Sequence, residues 1–267
     1  MTVRTVIIFY SALYTILFAS CASNDKKDNS QQQSISAEQQ IKNEIHRYPD
    51  SLPLTQKLIQ LYIDSSRYQD AIQVTDEAIK KDTSNGALWE IKATLLYQNE
   101  DTLGAIQAFE KAVIIYPIPD YVISLGSLYA QTKDKRALLL ANQLLNDNPA
   151  KTAVDAYYIV GLYYTYTGDK LKAISYFDKC ISMDYNNVYA YREKGIALYD
   201  LGRYNDAIQV LNRSVTVKST FDEGYYWLGR CYEKLNKKEE AIQNYRTALM
   251  FDKNFIEAQQ ALDSLDK

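Results

Sequence analysis

Small residues recur through this chain at one fixed interval. Ala71, Ala105, Ala173, Ala207 and Ala241 are separated by 34, 68, 34 and 34 residues, and Gly161, Gly195 and Gly229 lie 34 apart. Two independent markers sharing one period identify a repeating supersecondary unit, and no fold without such a repeat satisfies both. The spacing inside one unit says what it is made of. In the copy that begins at Asp222, Tyr225, Leu228, Gly229 and Tyr232 fall at i, i+3, i+4 and i+7, one face of a helix. A second apolar stripe carries Ala241, Tyr245 and Ala248. Each unit is therefore a pair of helices. With five prolines and nine glycines in 267 residues, the chain has little material for a loop-rich or sandwich fold.

The pattern of large and small residues resembles the tetratricopeptide repeat, W-x2-L-G-x2-Y followed by A-x3-F, A and P. The copy from Gly86 supplies Trp89, Ala93, Leu96, Ala105, Phe109, Ala112 and Pro117. The copy from Val154 supplies Tyr157, Val160, Gly161, Tyr164, Ala173 and Phe177, and that from Val188 supplies Tyr191, Gly195, Leu198, Ala207 and Leu211. Two copies are degenerate. The one from Leu52 has Ile59 at the glycine position, and the one from Pro119 has Leu138 at the first alanine position, with neighbours 33 and 35 residues away. The resemblance implies an all-α, right-handed solenoid of about six helix pairs over 52–255, with a capping helix in 35–51 and another in 256–267. Close packing explains the small residues: glycine or alanine in the first helix admits the second, and the alanine there meets it. Gly168 and Gly202 stand where a first helix should end in a left-handed residue. Pro117 and Pro149 are expected to stop second helices.

In such arrays the first helices line a concave groove through positions that packing does not use. Carried over residue by residue, the groove of the last three repeats consists of Tyr158, Leu162, Tyr166, Tyr189, Arg192, Ile196, Tyr199, Tyr226 and Arg230. Tyrosine and arginine are enriched at interface hot spots, although 24 tyrosines make the residue common throughout. Members of the family that bind chaperones clamp a terminal carboxylate with Lys and Asn. The matching positions here hold Tyr158 and Leu162, Arg192 and Ile196, Tyr226 and Arg230, so that activity is not implied. As exposed groove residues, these side chains are expected to change folding little when replaced.

The first residues read as an address. Arg4 precedes an apolar run from Val6 to Phe18, the length of a signal-peptide core and too short for a membrane span. Phe18-Ala19-Ser20-Cys21 resembles the bacterial lipobox, departing from it at Phe18. The resemblance implies a signal peptide over 1–20, acylation of Cys21 and a lipid anchor. The polar residues of 21–34 have almost nothing to bury and are expected to form a disordered tether. Ala22, where enterobacterial inner-membrane lipoproteins carry Asp, implies the outer membrane, with the periplasmic face expected and surface exposure left open.

Chemistry is sparse. The chain has one histidine, His46, and three cysteines, Cys21, Cys180 and Cys231, too few and too widely spaced for a zinc site or disulfide framework. No nucleophile elbow, phosphate loop or zinc-protease motif occurs. A net charge of −3 without a basic cluster argues against nucleic acid. No cofactor, no metal and no catalytic residue is expected. The resulting expectation is a non-enzymatic, membrane-anchored scaffold that aids assembly or docking of envelope complexes and binds unidentified envelope proteins or peptides. The alternative is a peptidoglycan- or glycan-related envelope hydrolase or its accessory factor.

Overall fold

A computed structural model describes residues 27–265, with side chains from Ala37 onward. The described residues form fourteen α-helices and no strand. The chain divides between Leu125 and Gly126 into two compact units. In the first unit, α1 (Lys27–Arg47) precedes the pairs α2 (Leu52–Asp64) with α3 (Tyr68–Lys81) and α4 (Gly86–Gln98) with α5 (Thr102–Ile115). The division falls inside α6 (Pro119–Gln131). The second unit continues with α7 (Arg136–Asp147) and three pairs: α8 (Pro149–Thr167) with α9 (Lys170–Met183), α10 (Val188–Asp200) with α11 (Tyr204–Val217), and α12 (Asp222–Lys234) with α13 (Lys238–Phe251). It ends on α14 (Ile256–Leu265). Within each unit successive helices pack on one another, the all-α repeat-solenoid class expected.

Five of the six repeat starts read from sequence coincide with the first residue of a helix. The exception is α8, which starts at Pro149 instead of Val154. Pro149 does more than follow the end of α7: it occupies the first turn of α8, where its missing N–H costs nothing. Thr152 donates its hydroxyl proton to the carbonyls of Leu144 (2.6 Å) and Asn148 (2.8 Å), tying the two helices together. The N-terminal helix is also longer than expected. Starting at Lys27, α1 takes in the second half of the segment assigned to a disordered tether. Lysine and glutamine are good helix formers, and a docked helix propagates through such residues more easily than it nucleates. The signal peptide over 1–20, Cys21 and the start of the tether lie outside the described residues.

The repeat alanines Ala71, Ala105, Ala173, Ala207 and Ala241 are all fully buried. In the third repeat that place belongs to Ala137, fully buried, while Leu138 is only half-buried. The correction comes from the turn. Elsewhere the alanine N–H donates to the carbonyl four residues back, as from Ala105 to Asp101 at 3.0 Å. Ala137 donates to Asp134, three back, at 3.1 Å, so the helix enters one residue early.

In the last three repeats the partner of the first-helix glycine is not the alanine but the large residue four positions after it, whereas Gly126 of α6 faces Ile159 of α8. A Cβ added to Gly161 would lie 2.6 Å from the Phe177 ring, one on Gly195 2.6 Å from Leu211, and one on Gly229 2.6 Å from the Tyr245 ring. The degenerate first repeat inverts the sizes: Ile59 replaces glycine, and the fully buried Thr75 replaces the ring. The second repeat is intermediate, with Ala93 and Phe109, both buried. Each first helix then ends on a residue with positive φ: Ser66, Glu100, Lys133, Gly168, Gly202 and Asn236. The backbone needs a left-handed residue at all six turns, and glycine supplies it at two.

A candidate protein-binding groove

The second unit brings α8, α10 and α12 together, and all nine groove residues stand on these helices. Five are more deeply placed than expected. Tyr158, Leu162, Arg192, Ile196 and Tyr226 are buried. Tyr158 packs its ring 5.7 Å from Phe177, and its hydroxyl has no hydrogen-bond partner among the described residues. Burial pushes that hydroxyl well above its usual range. Tyr226 lies between Phe255 (4.9 Å), Trp227 (5.5 Å) and Tyr245 (5.9 Å), measured between ring centroids. The residues expected as an exposed lining form the floor.

Arg192 departs furthest from expectation. At 2% exposure it is among the largest fully buried side chains. Its Nε and Nη2 both donate to Glu193 Oε1, at 3.0 and 2.6 Å, and its Nη1 donates to Glu223 Oε2 across from α10 to α12. Burial works against the guanidinium charge, and the Glu193 and Glu223 carboxylates more than restore it, so its pKa stands well above the usual value. Burial raises Glu223 in turn, opposed by Arg192. The network bridges consecutive repeats, and with its charge compensated and its side chain buried Arg192 is not placed to meet a partner.

Tyr166, Tyr189, Tyr199 and Arg230 remain half-buried and open onto the surface. Trp227, also half-buried, belongs with them, its ring 5.4 Å from Tyr199 and nearly perpendicular to it. Sequence reasoning missed it because the position carried over from the family was the neighbouring Tyr226. Its residue type was the available signal, since the chain has two tryptophans and tryptophan leads the hot-spot residues. Arg230 donates to the hydroxyls of Tyr226 (2.9 Å) and Tyr199 (3.3 Å) and lies about 6 Å from the centroids of both rings and of Trp227.

The first unit carries a cleft of about 700 Å³ between α1, α2 and α3, with Leu58, Val74 and Ala78 in its wall. At its edge Glu38 accepts from Lys42 (2.7 Å), Tyr62 (2.9 Å) and Arg67 (2.6 Å). The Lys42 hydrogen bond leads in holding its carboxyl down at about 2, against the opposing effect of burial.

Sequence profiles described as "Tetratricopeptide repeat" match residues 57–117 and 154–187, and one described as "Anaphase-promoting complex, cyclosome, subunit 3" matches 172–248. The chain is a tetratricopeptide-repeat protein. It is similar to mouse DnaJ homolog subfamily C member 7, 30% identical over 44% of this chain and 24% of that one. Tetratricopeptide repeat protein 1 of Schizosaccharomyces pombe is 23% identical over 71% of this chain and 20% of that one. The chain thus spans a quarter or less of the length of these curated relatives. Among solved structures, a tetratricopeptide repeat protein from Parabacteroides merdae superposes with a TM-score of 0.74 at 18% identity, covering 89% of this chain and 94% of that one. The APC/C hetero-tetramer Cut9–Hcn1 gives 0.58 at 18% identity, over 87% of this chain and 46% of that one. Both likenesses concern the fold.

Other motifs of this tetratricopeptide-repeat protein fall into place as packing or surface. Cys180 and Cys231 are free and buried, and burial pushes each thiol up to about 12. Asn212-Arg213-Ser214 has the form of an N-glycosylation acceptor, and its Ser214 is fully buried. His46 is exposed at the end of α1. Among the described residues no cluster of His, Cys, Asp or Glu could hold a metal ion, and no helix is long and apolar enough to cross a membrane.

Proposed function

We propose that this protein is a non-enzymatic scaffold that binds other proteins in the groove of its second unit. Cys21 anchors it by acyl chains to the outer membrane, facing the periplasm, where it assists assembly or docking of envelope complexes. The observation that carries the binding reading is the half-buried set Tyr199, Trp227 and Arg230. Large amphipathic rings and a guanidinium, held in place yet open to a partner, are the residue types that dominate binding energy. The buried Tyr226 supports this set, its ring against Trp227 and its hydroxyl accepting from Arg230. The anchor rests on Phe18-Ala19-Ser20-Cys21 and the apolar run before it.

Capture from detergent-solubilised envelopes tests the groove. Trp227→Ala and Tyr199→Ala, each with a melting temperature near that of the parent, are expected to lose partners that the parent retains. Equal capture by all three proteins moves the site elsewhere. Mass spectrometry of the mature protein tests the anchor separately: an unmodified Cys21 rejects it.

A further inference from the structure

Two arginines stand on one groove in opposite electrostatic states. The charge of Arg192 is compensated by the carboxylates of Glu193 and Glu223. Among the described residues Arg230 is hydrogen-bonded only to neutral tyrosine hydroxyls, and no carboxylate pairs with it. Glu233, one turn further along α12, has Oε2 occupied by the Tyr245 hydroxyl at 2.7 Å. Ring faces attract a cation without neutralising it, and a guanidinium has five N–H donors, most of them unmet here. The tyrosine bonds fix its orientation in advance, so little side-chain freedom is lost when an anion arrives. The same position in the two preceding repeats holds Leu162 and Ile196, both buried. The second unit thus presents one charged socket beside apolar surface.

We propose that Arg230 is the anion socket of this groove and that its partner is a protein segment presenting an aspartate or glutamate side chain flanked by apolar residues. The carboxylate takes two parallel hydrogen bonds from the guanidinium, and an adjoining apolar side chain packs on Trp227. This rests on the groove reading above and goes further by assigning the recognised chemistry.

Random peptides displayed internally in a phage coat protein, without free C-termini, are selected on the full chain and on Arg230→Gln. Acidic residues should be enriched in the parent's pool and not in the variant's. A synthetic peptide from the parent's pool should lose at least about tenfold in affinity when its acid is changed to the amide. Arg230→Lys, which keeps the charge without the fork, should recover only part of the affinity lost in Arg230→Gln. It also serves as the second variant should Arg230→Gln fail to fold. Pools alike in both proteins but lost on Trp227→Ala overturn the socket and leave the groove. Affinity that depends on a free peptide C-terminus, and not on the acidic side chain, overturns it too. If no pool is selected by either protein, both readings fall.

Discussion

Arg192 illustrates how far one side chain's role depends on its neighbours. Read as a lining residue, it should tolerate alanine with a change of no more than about 0.5 kcal/mol. At 2% exposure it compensates two buried carboxylates, Glu193 and Glu223. Removing one partner of a buried ion pair leaves uncompensated charge at a cost of about 3–5 kcal/mol. Arg192→Ala is therefore expected to lower stability by that amount in a urea titration. Restoring the balance by also replacing both acids with apolar residues should recover much of the loss, since buried pairs often do little better than well-packed apolar groups. The 34-residue register places Arg192 on the groove face. It does not say how far Glu223, one repeat later, reaches across to cover Arg192, nor that Phe177 packs on Tyr158 and Phe255 and Tyr245 on Tyr226, and that is why their burial was not legible.

At the scale of the element, the turn that closes each first helix obeys one backbone rule under six different residues. Gly168 and Gly202 announced it; Ser66, Glu100 and Lys133 did not, because nothing in those residue types signals positive φ, whereas Asn236 is of the type that follows glycine most readily into that region. A left-handed conformation costs a residue with a Cβ about 1–2 kcal/mol, and glycine gives back part of that in unfolded-state entropy. Glu100→Gly and Lys133→Gly should each raise stability by about 0.5–1 kcal/mol, read as a higher denaturation midpoint with unchanged slope. The docking of α1 should depend on pH. Glu38, held down at about 2 by Lys42 first and also by Arg67 and Tyr62, has an ordinary value of 4.5. Its contribution is complete above about 4.5 and fades as pH falls toward 2, because protonation discards the ion pairs. Amide exchange of α1 should accelerate across that window in the parent, and Glu38→Gln should show no such added acceleration. A flat exchange rate in the parent would contradict the role assigned to Glu38.

For the whole molecule, the period carried most of the architecture: six repeat units, their helix pairs and the flanking helices were legible because close packing demands small residues at fixed places. The early entry of α7 at Ala137 was hidden, since it depends on a tighter turn and not on residue type. So was the start of α1, where polar composition suggested a tether and helix propensity prevailed. Cys180 and Cys231 offer a direct report on the second unit. Burial pushes both thiols up to about 12, and only thiolate reacts. In a Cys21→Ala background, maleimide labelling should stay slow in buffer and rise together at both sites along the urea transition; rapid labelling in buffer would show that one or both sites open without unfolding. The size pairing inside the repeats has an evolutionary corollary. Ile59 goes with Thr75, Ala93 with Phe109, and Gly161, Gly195 and Gly229 with Phe177, Leu211 and Tyr245. Recombination that exchanged single helices between the first and fourth repeats would set Ile59 against Phe177 in one chimera, and Gly161 against Thr75 in the other. The first product is overfilled and the second hollow, and both are destabilising. Crossovers that keep each helix pair intact avoid both penalties, so the heritable module of this chain is the pair and not the helix.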